Sequence, residues 1–274
     1  MPARKFNALP GFGLTLGVTL LFLSVVVLLP LGALILRSLQ ISWQDFLKLV
    51  TDERALAAFK LTFGAALLAA VVNVIMGTIL AWVLVRYEFP GRRIVDAIVD
   101  FPFALPTAVA GLTLASMFAP QGWLGTTLVP LGIKGAYSRL GVLIALTFVG
   151  LPFVVRTLQP VLESLEPEVE EAAATLGAGR WRTFSKIIAP LLLPSLITGF
   201  ALAFARAIGE YGSVVFISGN LIYQTEIVPQ LIVIHLEQYE YAEAIALAVV
   251  LLVISFVLIG LINLLEQWAN RFER

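Results

Sequence analysis

Six long stretches that contain no Asp, Glu, Lys or Arg constrain the fold of this chain more than any other feature. They cover residues 6–36, 61–85, 101–133, 140–155, 187–205 and 244–265. A helix needs about 20 apolar residues to cross a bilayer, and the fourth stretch reaches that length once the uncharged residues beyond Arg156 are added. The stretches also lack the apolar/polar alternation of transmembrane strands. We therefore predict an all-α polytopic membrane protein with six transmembrane helices.

The composition agrees with a bilayer environment and excludes several other classes of protein. Hydrophobic residues make up 59% of the 274 residues and charged residues only 13%, against about 25% in a soluble domain. The 18 basic and 18 acidic residues balance, so no excess charge indicates a nucleic acid partner. Cysteine is absent, which excludes disulfides and thiolate metal sites. We predict a single transmembrane domain over residues 1–274, with spans near 12–36, 61–85, 98–119, 140–158, 191–216 and 244–265.

The distribution of basic residues predicts the orientation of the chain. Cytoplasmic segments of membrane proteins carry an excess of Lys and Arg. With a cytoplasmic N-terminus, the inner segments hold eleven basic residues, including Arg4, Lys5, Arg271 and Arg274, and the outer segments hold six. We therefore expect a multi-pass protein with both termini in the cytoplasm.

The inner loop at 159–190 is the most charged part of the chain and is predicted to form two helices. Pro167 suits the first turn of a helix, and the acidic residues around it stabilise the helix N-terminus. An alanine run follows, until Gly177 and Gly179 interrupt it as helix C-caps do. A second short helix is expected from Arg180 to a stop at Pro190. The loop is therefore predicted to be a projecting helix-turn-helix, although an interfacial helix on the headgroups fits the same residues.

This loop resembles the EAA loop of ATP-binding-cassette importer permeases. The matching residues are Glu171, Ala172, Ala173, Gly177, Ile187 and Pro190, with Ala189 where that pattern has leucine. The resemblance implies a type I importer permease fold in which the cytoplasmic loop couples to a separate ATPase. The chain has no GxxxxGK[ST] motif for phosphate binding. ATP and Mg are therefore expected on the ATPase, and this chain is expected to be a non-catalytic subunit without a cofactor.

Two further segments are similar to permease subunits of bacterial sulfate and thiosulfate importers. They are DFPFALPTAVAGLTLASMFAPQGWLG at 100–125 and ARAIGEYGSVVFISGNLIYQTEIVPQLIVIHLEQYEYAEA at 205–244. The resemblance implies import of these oxyanions across the bacterial inner membrane. It also implies three kinds of partner, which are a second homologous permease subunit, two copies of an ATPase and a periplasmic sulfate-binding protein. Molybdate permeases share the ARAIGEYG segment, so a molybdate or tungstate permease is the alternative.

Arg206 is the one basic residue that lies well inside a predicted span. A charge near the centre of a bilayer costs roughly 2.5 to 3.5 kcal/mol on insertion scales, so a partner is expected. Glu210 follows four residues later, on the same face of a helix. Two interpretations stay open, an ion pair that only holds the helices together and an Arg206 that faces the translocation pathway.

Two other classes of protein fit the sequence less well. A secondary transporter usually carries ion-coupling carboxylates deep in several spans, and such residues are sparse here. An intramembrane enzyme needs a nucleophile or several metal ligands, whereas His235 is the only histidine of the chain. We predict neither a catalytic residue nor a metal site.

Overall fold

The computed structural model describes residues 11–269, which are mainly helical. Arg4, Lys5, Arg271 and Arg274, which entered the charge count, lie outside this range. In chain order the helices are α1 (Phe12–Ser38), α2 (Trp43–Val50), α3 (Glu53–Arg86), α4 (Arg92–Val99), α5 (Phe101–Ala104), α6 (Thr107–Phe118), α7 (Gly125–Leu128), α8 (Arg139–Ser164), α9 (Pro167–Thr175), α10 (Arg180–Ile208), α11 (Gly212–Ile217), α12 (Val228–Glu237) and α13 (Tyr241–Ala269).

Within the described range, five helices are long and apolar enough to cross a membrane, namely α1, α3, α8, α10 and α13. Each overlaps a predicted span, but most extend further. Helix α3 has 34 residues and begins eight residues before the predicted span, and α8 continues to Ser164. The helices extend beyond the apolar stretches because charged residues at their ends form ion pairs, as Arg54 in α3 does with Glu226.

Helices α3 and α8 run parallel to each other. Gly150 in α8 packs against Asn73 in α3, and four residues further along both helices Val154 packs against Gly77. Parallel neighbours begin on the same face of the membrane, which we call the outer face by the orientation predicted above. The chain must therefore return from the inner end of α3 to the outer face before α8 begins.

The return crossing is made by short helices rather than by the single span predicted at 98–119. Leu105 is extended, with φ −87° and ψ 136°, because the ring of Pro106 disfavours the helical conformation of the residue before it. Helix α6 then has 12 residues and spans about 18 Å, less than the roughly 30 Å of hydrocarbon. The third crossing predicted at 98–119 is thus made by α5, the extended residues and α6 together.

Small residues form the centre of the bundle, where α3, α8 and α10 meet. Ala66 and Ala70 in α3, Ala145 in α8 and Ala203 in α10 have no exposed surface. Helix association in a bilayer depends on such close backbone packing because lipid provides no hydrophobic driving force. By contrast, none of the residues of α1 is buried. The packed core therefore begins with α3.

The inner loop is shorter than the predicted 159–190, because Pro190 does not end a helix. Helix α10 runs for 29 residues from the inner loop into the bundle. Residues Phe184–Ile188 form a π-helical turn, in which the Ala189 N–H donates to the Phe184 carbonyl oxygen. A wider turn of this kind accommodates the missing N–H of the proline. The predicted second short helix is therefore the first part of the fifth crossing.

Candidate functional site: the inner loop and the broken helices

The loop between α8 and α10 has the helix, glycine break and helix that the sequence predicts. Helix α9 ends where Gly177 adopts φ +79°, and the Ala178 N–H donates to the Ala173 carbonyl oxygen at 3.0 Å. Glycine is favoured here because an L side chain is strained at positive φ. Gly179 has a different role, since its φ of −73° is ordinary and it precedes the first turn of α10.

The motif residues divide into an exposed and an inward-facing group. Glu171 and Ala172 are exposed on α9, whereas Ala173 is 5% exposed and faces the bundle. Ile187 is half-buried and Pro190 is exposed, both in α10. The exposed face of α9 is therefore free in this subunit, while its other face fixes the helix to the protein.

Two exposed apolar side chains lie beside the exposed motif residues. Leu176 is 88% exposed and Trp181 is 78% exposed. Sequence reasoning missed both, although a leucine and a tryptophan in a charged loop were a usable signal. Aromatic side chains are enriched among the residues that contribute most to protein interfaces, and an exposed leucine gains free energy from burial. We therefore include Leu176 and Trp181 with Glu171 and Ala172 in what we call the coupling surface.

The loop is attached to α3 as well as to the two helices that it connects. Arg86 Nη2 lies 2.7 Å from Glu170 Oε1, and the Arg86 guanidinium stacks over the Trp82 ring at 5.5 Å. Trp82 in turn contacts Phe184 of α10 edge-to-face, with ring centroids 5.8 Å apart. A displacement of α9 would therefore be transmitted to α3 and α10 together.

Arg206 and Glu210 are brought together at the outer end of α10. Arg206 Nη1 lies 2.6 Å from Glu210 Oε2, and the Arg206 side chain is 34% exposed whereas that of Glu210 is 2% exposed. Glu210 Oε1 accepts hydrogen bonds from the N–H and the hydroxyl of Ser213, both at 2.8 Å. Glu210 therefore neutralises Arg206 and caps the N-terminus of α11.

The predicted fifth span, 191–216, is broken at this pair. Helix α10 ends at Ile208, and α11 starts at Gly212. A side chain at Gly212 would collide with Thr107, the first residue of α6, and one at Gly111 would collide with Ser213. The breaks in the third and fifth crossings therefore lie against each other, and irregular backbone in a membrane is tolerated where protein buries it or a cavity is lined by it.

A second charged cluster, which sequence reasoning missed, lies at the inner side of the bundle. Arg156 of α8 donates to both Asp100 oxygens, from Nε at 2.8 Å and from Nη2 at 2.6 Å. It also donates to Asp96 Oδ1 at 2.7 Å, and Gln159 Nε2 donates to the same oxygen at 3.0 Å. An arginine in the inner half of the otherwise apolar helix α8 was the signal available. The cluster fixes α4 and the start of the third crossing to α8.

The fold is shared with membrane subunits of solved importers. A bacterial ABC transporter involved in the import of the acidic polysaccharide alginate has a TM-score of 0.77 at 19% identity, over 92% of this chain and 93% of that chain. A bacterial alginate ABC transporter in complex with an alginate pentasaccharide-bound periplasmic protein has a TM-score of 0.75 at 20% identity, over 91% of each chain. This likeness confirms the predicted fold class, an all-helical fold of the kind found in ABC importers.

Sequence comparison defines the family. Residues 73–271 match the binding-protein-dependent transport system inner membrane components, and the chain belongs to this family as a multi-pass inner-membrane transport subunit. It is 48% identical to the sulfate transport system permease protein CysT of Escherichia coli, over 98% of this chain and 96% of that protein. It is 49% identical to the CysT protein of Synechocystis sp., over 98% and 94%. The resemblance to sulfate-importer permeases predicted from the motifs is confirmed.

Proposed function

We propose that this chain is a permease subunit of an ATP-driven importer that moves sulfate and thiosulfate across the bacterial inner membrane. The substrate is inferred from the CysT relatives, which are named as sulfate transport permeases and match nearly the whole chain. The chain itself carries out no chemistry. A separate ATPase binds ATP and Mg and hydrolyses the nucleotide.

The coupling surface carries this proposal. Exposed Glu171, Ala172, Leu176 and Trp181 lie on a short loop that is fixed to the bundle from behind. Small alanines allow close approach of another backbone, and burial of the two apolar side chains in a partner is favourable. The partner that fits is one of two copies of the ATPase, bound through a pocket that receives Leu176 and Trp181.

Movement of the ATPase reaches the bundle through α10. This helix is continuous from the coupling surface to the Arg206–Glu210 pair, about 44 Å for its 29 residues. A rigid helix transmits a displacement at one end to the other, and rigid-body motion between alternative packings is a common switching mechanism. The broken third and fifth crossings are the parts of the bundle where a pathway could open with little loss of helix packing.

Arg206 has the role of attracting the anion at this break. The Arg206 guanidinium is partly exposed and therefore produces a positive electrostatic potential. Glu210 holds the guanidinium in place, and its negative charge weakens that potential. Weak attraction suits a translocation pathway, because an ion that enters must also leave. Selection of the anion is assigned to the periplasmic binding protein.

The assembled importer contains a second, homologous permease subunit in addition to the two ATPase copies and the sulfate-binding protein. Both termini of this chain lie in the cytoplasm, which places the coupling surface on the side where ATP is available. The excess of basic residues in the inner segments supports this orientation.

Reconstitution tests the proposal. The purified complex in proteoliposomes should take up radiolabelled sulfate only with ATP and the binding protein, and excess thiosulfate should compete more strongly than molybdate. Glu171→Arg should abolish uptake while the complex still reaches the membrane. Uptake without ATP would support a secondary transporter, and stronger competition by molybdate or tungstate would support that class of oxyanion.

A further inference from the structure

A groove lies between α3 and α8 at their outer ends, and it is lined neither by the coupling surface nor by the Arg206–Glu210 pair. Its volume is about 810 Å³. The walls are mainly apolar, with Leu68 on one side and Leu140 and Leu143 on the other, and Gly64 lies between them. A methyl group at Gly64 would meet no atom within 4 Å, so the missing side chain leaves open space.

Two basic residues and one acidic residue line the same groove, and these are Lys60, Arg139 and Glu53. Arg139 Nε donates to the Gln224 carbonyl oxygen at 3.0 Å, which holds the guanidinium in position. Within residues 11–269, neither Lys60 nor Arg139 forms an ion pair. The groove therefore combines an apolar surface with two cationic groups that can bind an anion.

The charged and apolar parts are ordered along the membrane normal. Lys60, Gly64 and Leu68 follow one another at helical steps of four on one face of α3. From Lys60 to Leu68 the helix rises about 12 Å, less than the roughly 15 Å that one leaflet contributes to the hydrocarbon layer. The cationic groups thus lie toward the headgroups, and the apolar part lies at the depth of acyl chains.

We propose that this groove binds one glycerophospholipid of the outer leaflet. The phosphate is bound by Lys60 and Arg139, and one acyl chain lies over Gly64 against Leu68 and Leu143. Glu53 can accept a hydrogen bond from the amine of a phosphatidylethanolamine headgroup. This site is separate from the proposed transport function, and only the name of the leaflet depends on the proposed orientation.

Two other occupants match the groove less well. An inorganic oxyanion would form no favourable contact with the leucine side chains, and moving an anion from water to an apolar surface costs free energy. The helix α1 of a second copy of this chain would fill an apolar groove, but Phe12–Ser38 contains no Asp or Glu to pair with the two basic residues. A phospholipid provides both the phosphate and the apolar chain.

Matched glycine variants of the intact complex test this site. Gly64→Phe fills the groove, whereas Gly260→Phe places the same side chain on α13, where a Cβ also meets nothing within 4 Å. Native mass spectrometry after incubation with phosphatidylethanolamine should show occupancy reduced about fivefold or more by Gly64→Phe, which corresponds to the loss of one or more buried methylene groups. Gly260→Phe should retain the lipid.

The charged end is tested by the double variant Lys60→Gln/Arg139→Gln, with Lys134→Gln as the control for an outer basic residue. The double variant should lose the lipid and the control should keep it. Equal retention by all variants, or loss with Gly64→Phe but not with the charge variants, would overturn the proposal. So would a photo-crosslinker at Leu68 that labels a permease subunit instead of lipid. These measurements need neither ATP nor uptake, so they fail or succeed independently of the proposed function.

Discussion

Arg86, the last residue of α3, is paired with Glu170, which directly precedes the EAA glutamate of the inner loop, at 2.7 Å. The contacting atoms of this pair are shielded from solvent although both side chains are partly exposed. The pair connects the coupling surface to a helix that is distant in sequence. The inner loop is thus held by three helices, namely α3, α8 and α10.

The first prediction concerns this pair. Arg86→Glu and Glu170→Arg each place like charges together and should reduce the sulfate transported per ATP hydrolysed about fivefold, since a partly exposed pair contributes up to about 1 kcal/mol. The exchange variant Arg86→Glu/Glu170→Arg should restore most of the sulfate transport per ATP hydrolysed. Arg92→Glu, another inner basic residue, is the control. Normal coupling in both single variants would remove α3 from the route of transmission.

The second prediction concerns the backbone at Gly177. Because its φ is +79° and no neighbour lies within 4 Å of a Cβ, conformation rather than space limits substitution. Gly177→Val should cost about 1 to 2 kcal/mol of local strain and abolish uptake, while Gly177→Asn should be tolerated because asparagine adopts positive φ. Gly179→Ala is the matched control, since Gly179 has negative φ. Equal uptake by the valine and asparagine variants would contradict this interpretation.

The third prediction separates the two roles that the sequence left open for Arg206. If Arg206 faces the pathway, Arg206→Ala should lower uptake about tenfold or more without loss of subunit assembly. Arg206→Lys should preserve the charge and part of the uptake. Assembly is measured by size-exclusion chromatography of the complex in parallel with uptake. Loss of assembly in the alanine variant would indicate a purely structural ion pair.

The fourth prediction concerns acid stability. The hydrogen bond from Gln159, with a further one from Arg156, holds the pKa of Asp96 below its ordinary value of 3.8, while burial opposes this effect. A lowered pKa in the folded state means that the stabilisation is present above about pH 4 and is lost as the pH falls through the lowered value. The contribution is below about 1 kcal/mol because the side chain is 43% exposed.

Asp96→Asn should therefore lower the thermal midpoint of the complex slightly at pH 7 and flatten its decline below pH 4. Tryptophan fluorescence of the complex between pH 3 and 7 measures both effects. Asp45→Asn on α2, outside the Arg156 cluster, is the control. An unchanged acid profile in Asp96→Asn would show that this carboxylate does not contribute to the pH dependence.

Sequence patterns predicted the class of fold and the main part of the inner loop. Uncharged stretches predicted where the chain crosses the membrane, because apolar length is what a bilayer selects. The alanine run and Gly177 predicted the end of α9, because a local backbone requirement determines that end. The spacing between Arg206 and Glu210 predicted their pairing for the same local reason.

Only the tertiary structure decided how each proline acts and which distant charges meet. Pro106 follows a break in the third crossing, whereas Pro190 lies within a continuous helix, because the preceding π-helical turn absorbs the missing hydrogen bond. In the sequence, Arg156 contributed only to the number of inner basic residues. In the structure it binds Asp100, which lies 56 residues away along the chain. Local residue preferences determine where helices can form. Packing between helices that are far apart in sequence determines where they break, continue and pair their charges.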